Sequence, residues 1–293
     1  MSSNTETAVT GEVRRPRNRY QQSSGSIHND ETAQALGFKG GTVAGSVHMD
    51  QFVPLLLAVF GPKWFETGSL SLYFRTATSD DEPVQAFIEG PTGARTDSQV
   101  KAWMTEQAGG LVAEGTASVG SPSEVTALYA RDFRPVDPSQ LRMLHDVHPG
   151  DSLGNIEVFL DGDEQRQLVR DGLITEPIEW YTEASPWGGA IASPSATVRL
   201  LYDQLLTPLK ASLGTRVGLF GAIEVRYFSG PLLLDRTYGI SGEIVAVSET
   251  PKTEAFWYDS WATSPDGTKI AQMRMMLRQM KASSPLYPEL QVK

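Results

Sequence analysis

Segments from the first half of the sequence recur in the same order in the second half, and this internal repeat constrains the fold more than any other feature. A glycine pair followed by an apolar helix-like segment at 40–56 returns at 188–206. A strand-like segment at 68–74 returns at 221–227, and the strand-like segments at 86–90 and 99–119 have counterparts in the same order. Four segments that recur in the same order indicate that a single module was duplicated. The sequence therefore predicts two copies of one unit.

Each unit has the pattern of a buried helix followed by an antiparallel meander, an α+β arrangement. Alternating apolar residues at Leu70, Leu72 and Phe74 predict a strand, and glycine turns separate the later strands. The predicted boundaries are a disordered N-terminus at 1–10, a site-bearing unit at 11–120, a proline-rich linker at 121–149, a second unit at 150–283 and a tail at 284–293.

Composition excludes several classes of function. The 293 residues include no cysteine and carry a formal net charge of −10. Thiolate metal sites and cysteine nucleophiles are therefore excluded, and neither nucleic acid nor an anionic membrane is expected as the main partner. The polar N-terminus has no apolar signal core, and no apolar run approaches the ~18 residues of a membrane span. We expect a cytoplasmic protein.

The segment from Ser26 to Phe52 has the highest density of chemically active side chains. Asn29 or Asp30 is placed to cap a short helix that ends at Gly37. An apolar helix then spans 42–60, with a kink or a second helix start expected at Pro54.

A glycine pair precedes that apolar helix. Gly40 and Gly41 allow backbone conformations closed to other residues, and such a turn leaves free N–H groups at a helix start. We expect the amides from Gly40 to Thr42 to hold the oxygen of a polarised carbonyl.

These motifs resemble a known family. A histidine before a small acidic helix, a Gly-Phe dipeptide, a glycine pair, an apolar helix and LxLxF strands resemble the MaoC-like hydratase and dehydratase branch of the hotdog superfamily. The ordered repeat resembles its double-hotdog members. The resemblance implies an α+β tandem hotdog, with two antiparallel sheets that each wrap a central helix.

The resemblance also implies site residues. Family members act on acyl thioesters and use an aspartate five residues before a histidine. His28 occupies the histidine position, but Ser23 stands where the aspartate belongs. Loss of such a partner typically lowers the rate ~10²–10⁴-fold. Hotdog thioesterases place a carboxylate seven residues after the second glycine, where this chain has His48 and the second copy has Ala196.

We take His28 and His48 as catalytic candidates, because histidine can serve as base or acid near neutral pH. The substrate-binding candidates are Gly40, Gly41, Thr42, Tyr20, Asn29 and Asp30. The alternatives are that the histidines are hydrogen-bonded structural residues and that Asn29 and Asp30 only cap the helix. Asp50 lies roughly 200° round the helix from His48, so we expect it to face elsewhere or to cap a neighbour.

The expected function is that of a hydro-lyase, a dehydratase or hydratase that abstracts a proton α to a carbonyl and has diverged by losing the aspartate. A cyclase or isomerase of a specialised, polyketide-like metabolite is one alternative. An acyl thioesterase and a non-catalytic protein that binds an apolar ligand are the others.

The expected partner is a small-molecule substrate, linked to coenzyme A (CoA) or to a carrier protein, with no cofactor and no metal. The nearest basic cluster for a phosphopantetheine arm is Arg14, Arg15, Arg17 and Arg19, which fits a solvated arm equally well. The H-x-x-H spacing of His145 and His148 lacks the i, i+4 spacing of common zinc motifs. The second unit has no histidine and is expected to complete the pocket wall as scaffold. The protein is expected to be a pseudo-dimeric monomer or a homodimer.

Overall fold

Ten strands form one continuous antiparallel sheet. The structure is a computed structural model that describes residues 8–90, 96–134 and 136–291. The first half contributes β1 (Val9–Arg14), β2 (Gly68–Phe74), β3 (Val84–Ile88), β4 (Ser98–Glu106) and β5 (Leu111–Val119). The second half contributes β6 (Ser152–Leu160), β7 (Gly218–Tyr227), β8 (Arg236–Glu249), β9 (Thr253–Thr263) and β10 (Lys269–Met280).

The strand order has the symmetry that a duplication requires. The order is β1-β3-β4-β5-β2-β7-β10-β9-β8-β6. Read outward from the centre, the strands of the second half follow the same order as those of the first half. The halves join where β2 pairs with β7, with Ser71 opposite Glu224 at the centre of the seam. The predicted fold class is confirmed, and its two sheets are joined edge to edge into one.

In the part of the chain that the structure describes, seven short α-helices accompany the sheet. They are α1 (Asp30–Ala35), α2 (Gly45–Asp50), α3 (Val53–Phe60), α4 (Trp64–Thr67), α5 (Gly162–Arg170), α6 (Pro194–Tyr202) and α7 (Thr207–Ser212). The break expected at Pro54 is confirmed, because α3 begins at Val53 and holds the proline in its first turn. None of the helices in these described ranges is long and apolar enough to cross a membrane.

The main core lies between one face of the sheet and the central helices. Phe52, the residue before α3, and Leu56 of α3 are fully buried against inward-facing strand residues such as Leu70 and Ile223. On the opposite face, Leu128 of the segment between the halves packs in a cluster with Trp257. The central helices α2 and α6 contact each other, which brings the starts of the two repeats together.

The predicted N-terminal boundary is wrong in part. Val9 and Thr10 belong to β1, because their backbone pairs with Ile88 and Phe87 of β3 at the edge of the sheet. Residues 1–7 lie outside the described part of the chain.

Candidate active site

His28 is held just before α1 by its neighbours. Asn29 caps α1 by accepting from Thr32 N–H at 3.1 Å. The His28 Nδ1 atom lies 2.7 Å from the Thr42 carbonyl oxygen. Since a carbonyl only accepts, Nδ1 carries the proton and Nε2 has the free lone pair. Burial lowers the pKa of His28, partly offset by the bond to Thr42, so the ring is neutral at pH 7.

The glycine turn approaches the backbone of His28 closely. A Cβ at Gly41 would lie 2.1 Å from the His28 carbonyl oxygen, which also accepts from Asn18 Nδ2 at 2.7 Å. Only glycine fits there without displacing the histidine. Gly41 therefore positions His28 by sterics.

His48 is deeply buried on α2, with 3% of its surface exposed. Its Nε2 lies 2.8 Å from the Thr78 hydroxyl, and its Nδ1 is buried with no hydrogen-bond partner among the described residues. Burial lowers the pKa of His48 to about 4, against a small raising effect of Glu82. His48 is thus a neutral imidazole with one polar atom left to satisfy.

Both histidines line one cavity of about 840 Å³. The first half contributes Tyr20 and Thr42 as well, and the Tyr20 ring centroid lies 5.4 Å from that of His28. The second half supplies wall residues from α6, β7 and β10, including Ser195 and Tyr202. Apolar lining comes from Ile27, Phe38, Val43, Phe74, Val198, Leu219, Phe220 and Leu277.

The structure corrects the expected role of the glycine-turn amides. The Gly41 N–H donates to the Asp30 carboxylate at 2.7 Å, and the Thr42 N–H donates to the Ile27 carbonyl at 3.0 Å. The described cavity lining does not include Gly40, Gly41, Asn29 or Asp30. The Asn29 side chain caps α1, and the Asp30 carboxylate closes the glycine turn by accepting from Gly41. Of the six substrate-binding candidates, only Tyr20 and Thr42 reach the cavity.

The amides available to a ligand lie one turn further on. Gly45 and Ser46 form the first turn of α2, where N–H groups have no carbonyl one turn earlier to receive them, and both residues line the cavity. A Cβ at Gly45 would lie 2.5 Å from the Phe74 ring, so this helix start is packed tightly against β2. The apolar pattern of the helix gave no sign of which amides would remain free.

Main-chain bonds fix the correspondence between the halves. In the first half, Thr42 N–H donates to the Ile27 carbonyl, and in the second half Ile191 N–H donates to the Trp180 carbonyl in the same way. The bond from Val43 N–H to the Thr78 carbonyl likewise corresponds to the bond from Ala192 N–H to the Leu232 carbonyl. The counterpart of His48 is therefore Thr197, not Ala196 as expected, because the repeats differ by one residue before the helix. The counterparts of His28 and Ser46 are Tyr181 and Ser195.

In the second half, a side chain of the protein itself occupies the place beside Ser195, the counterpart of Ser46. Asp50, fully buried at the end of α2, accepts from Ser195 N–H at 2.8 Å and from Ser195 Oγ at 2.6 Å. Arg19 donates to the same carboxylate at 3.1 Å. Burial raises the pKa of Asp50, opposed by Arg19 and the Ser195 bonds. Asp50 thus caps a neighbouring helix, one of the two outcomes expected for it.

The basic arm does not reach the cavity. Arg15 and Arg17 form surface ion pairs with Asp81 and Asp80, and Arg14 pairs with Glu176. Arg19 forms an ion pair with the buried Asp50. The structure therefore gives no support to a phosphopantetheine role for these arginines, and the Arg19 side chain is buried rather than solvated.

Several aromatic and histidine side chains lie away from the cavity. The residues absent from its described lining include the second-half aromatics Trp180, Tyr181, Trp187, Trp257, Tyr258 and Trp261. His145 and His148 lie beside Asp146 and Asp151 on the surface. Within the described ranges, no group of three or more histidine or acidic side chains could hold a metal ion.

Comparison with known proteins places the fold. No family model and no curated protein matches the sequence. A MaoC-domain dehydratase structure from Chloroflexus aurantiacus J-10-fl is 13% identical, with a TM-score of 0.63 over 94% of this chain and 95% of the other. A second structure, described as a MaoC-like dehydratase, is 13% identical, with a TM-score of 0.57 over 95% and 99% of the two chains.

A conserved hypothetical protein from Mycobacterium tuberculosis, described as having a double hotdog fold, is 12% identical, with a TM-score of 0.58 over 94% and 96% of the chains. Identities this low establish the fold alone. The chain has the double-hotdog fold, and it shares this fold with MaoC-like dehydratases.

Gly41→Ala should lower the free energy of unfolding by about 1–3 kcal/mol, since the added methyl meets the His28 carbonyl. Urea denaturation measures the change. Gly189→Ala, in the glycine pair of the second repeat, is the matched control: its Cβ would be 3.9 Å from the nearest atom, and it should change stability little. Equal losses in the two variants would contradict this account of the turn.

Asp50→Ala should lower the free energy of unfolding by about 3–5 kcal/mol, because it leaves Arg19 buried without its counter-charge. Arg15→Ala breaks an ion pair whose side chains are 56% and 58% exposed and should cost no more than about 1 kcal/mol. Chemical denaturation of both variants checks the difference. A loss for Asp50→Ala as small as that for Arg15→Ala would show that the buried pair contributes little.

Proposed function

We propose that the protein is a hydro-lyase that removes or adds water β to the carbonyl of an acyl-type substrate. One observation carries the proposal: His28, whose neutral ring leaves Nε2 unprotonated, lines the same cavity as Gly45 and Ser46, the first residues of α2. A base and a set of amide donors are the two elements that α-proton abstraction needs.

The internal symmetry supports a position for the substrate oxygen. In the second half, carboxylate oxygens of Asp50 accept from the N–H and Oγ of Ser195. Ser46 is the counterpart of Ser195 and lines the cavity. A substrate carbonyl oxygen at Ser46 would occupy the place that Asp50 occupies beside Ser195. Backbone donors of this kind stabilise a developing enolate by about 3 kcal/mol each.

The proposed dehydration uses one residue for both proton transfers. His28 Nε2 removes the proton from the α-carbon, and the carbonyl oxygen takes up the negative charge at Ser46. The imidazolium then gives this proton to the β-hydroxyl, whose C–O bond breaks to release water and leave a carbon–carbon double bond. Hydration is the reverse. This sequence does not require the aspartate that Ser23 replaces.

His48 has a different role in this proposal. With a pKa of about 4 it is a weak base, so it acts as a neutral hydrogen-bond partner. Its buried, unpartnered Nδ1 would be satisfied by a polar group of the substrate or by water. In this proposal His48 therefore positions the substrate and does not serve as the base or acid.

The fold comparisons favour this class, because two of the similar structures are described as MaoC dehydratases. A thioesterase is less well supported. Its carboxylate would come from α2, and Asp50, the acidic residue of that helix, is committed to Arg19 and Ser195.

Isomerisation or cyclisation is the second candidate, and the loss of the family aspartate favours it. A single neutral histidine can return the proton to another carbon, or the enolate can close a ring, with no water released. Product analysis by mass spectrometry separates the outcomes, since dehydration lowers the product mass by one water and isomerisation leaves it unchanged.

His28→Ala should lower kcat/KM on β-hydroxyacyl or enoyl thioesters by ~10²–10⁴-fold, the usual contribution of a general base. His145→Ala removes an exposed histidine distant in sequence from the cavity and is the control. Absorbance of the conjugated product measures turnover, and circular dichroism verifies folding. Full activity in His28→Ala would remove the basis of the proposal.

The pH profile should report the same residue. Protonated His28 cannot act as a base, so kcat/KM for dehydration falls on the acid side of its pKa. Because burial lowers that pKa below its ordinary value of 6.5, the acid limb should lie below pH 6.5. A limb centred above pH 7 would point to another group.

A further inference from the structure

The N-terminal arm is fixed at two consecutive residues just before it reaches the cavity. The Asn18 backbone N–H donates to the Asp80 carboxylate at 2.7 Å, and the Asn18 side-chain amide donates to the His28 carbonyl oxygen, also at 2.7 Å. The guanidinium of Arg19, whose side chain is 5% exposed, donates to Asp50 at 3.1 Å. These bonds hold the arm directly beside the candidate base.

Arg19 also ties the arm to the second half of the chain. Its Nε donates to the Leu173 carbonyl oxygen at 3.1 Å, and its Nη1 donates to the Ser195 hydroxyl at 3.0 Å. A guanidinium that is buried and fully engaged in this way has little freedom to move, because each of its bonds is charge-assisted. Contacts with both halves therefore set the position of the residue that follows Arg19.

That following residue is Tyr20, which lines the cavity. Its N–H donates to the Asn18 side chain at 3.2 Å, and its carbonyl accepts from Ser23 N–H at 2.9 Å. The Tyr20 hydroxyl forms no hydrogen bond with any residue in the described ranges, and 38% of the residue's surface is exposed. A tyrosine ring on a fixed backbone, left open to a cavity, gives a ligand a large contact area at a small cost in conformational entropy.

The Tyr20 ring lies next to the candidate base. Its centroid is 5.4 Å from that of His28, and the two rings are tilted by 44°, so they do not stack flat on each other. In the proposed reaction the α-carbon of the substrate lies at His28 Nε2. A group attached to the neighbouring β-carbon then lies near the Tyr20 ring.

Further aromatic rings line the cavity. Phe38 and Phe74 come from the first half, and Tyr202 and Phe220 come from the second. Tyr202 and Phe220 contact each other edge to face, with centroids 5.1 Å apart and planes at 86°. An alkyl chain gains hydrophobic stabilisation from any apolar wall, in proportion to the area it buries. An aromatic group gains, in addition, offset-stacked and edge-to-face contacts with rings such as these.

We propose that Tyr20 is a specificity residue that selects an acyl group carrying an aromatic ring on its β-carbon. The inference rests on the proposed function, because that function places the β-carbon of the substrate beside His28. Dehydration of such a substrate joins the carbonyl, the new double bond and the ring into one flat conjugated system. The ring of Tyr20 packs against this flat group.

The test measures how the preference for an aromatic over an alkyl group depends on Tyr20. The substrates are N-acetylcysteamine thioesters of β-hydroxy-β-phenylpropanoic and β-hydroxynonanoic acid, which have equal numbers of acyl carbons. Amides of the two enoyl products serve as unreactive ligands for isothermal titration calorimetry. The phenyl amide should bind the wild type, and Tyr20→Leu should lower the ratio of phenyl to alkyl affinity roughly 2- to 12-fold, the factor of one aromatic contact. Tyr20→Phe, which keeps the ring, should leave the ratio unchanged.

Tyr129→Leu is the matched control. Tyr129 is 36% exposed, close to the value for Tyr20, but it belongs to the segment between the halves and is absent from the described cavity lining. This variant should keep the wild-type ratio, and thermal melts establish that each variant folds. Failure of the phenyl amide to bind the wild type, an unchanged ratio in Tyr20→Leu, or an equal loss in Tyr20→Phe would overturn the inference.

Turnover of the thioesters separates this inference from the proposed function. If the amides show the ratio that depends on Tyr20 but neither thioester is dehydrated, the proposed function fails and the aromatic contact at Tyr20 stands. If both thioesters are dehydrated and the ratio is the same in wild type and Tyr20→Leu, the proposed function stands and the aromatic selectivity fails.

Discussion

The buried carboxylate of Asp50 is the interaction on which the arrangement of the cavity depends. It joins three parts of the chain that are far apart in sequence: the end of α2, the start of α6 and the N-terminal arm through Arg19. A buried charge is tolerated only when paired and hydrogen-bonded, so this contact fixes how the two central helices meet. It also fills the second-half position that corresponds to the proposed oxygen site. A duplicated module thereby presents a single cavity, to which one half gives the histidines and the other much of the wall.

Much of the fold follows from local patterns that the sequence displays openly. The alternation of apolar residues in 68–74, the glycine turns and the break at Pro54 each depend only on neighbouring residues. Because the same segments recur in the second half, a symmetric strand order follows. The continuous sheet was not predictable in this way. Pairing of β2 with β7 depends on contacts between segments about 150 residues apart, and nothing in either strand marks it as the seam.

The site was predictable where a side chain belongs to a motif and unpredictable where a partner is distant. His28 and His48 lie beside one cavity, as the spacing suggested. The fate of the Gly41 amide depends on Asp30, and the role of Asp50 depends on Ser195, 145 residues away. The four arginines of the arm looked available because their carboxylate partners are remote in sequence. The arginines that do line the cavity, Arg75, Arg199 and Arg278, come after β2, from α6 and from β10, so they form no run in the sequence.

Burial sets the electrostatics of the cavity near the two histidines. It keeps the rings of His28 and His48 neutral, which suits proton abstraction from carbon and binding of an uncharged acyl group. Arg19 and the α2 carboxylate Asp50 pair with each other, so neither places an uncompensated charge beside the two rings.

The most direct test of the central claim is a crystal structure with an unreactive analogue of a β-hydroxyacyl thioester. The analogue should lie in the cavity lined by both halves, with its carbonyl oxygen within hydrogen-bond distance of the Ser46 amide and its α-carbon next to His28 Nε2. An analogue whose carbonyl oxygen is held elsewhere, or whose α-carbon is out of reach of His28, would contradict it.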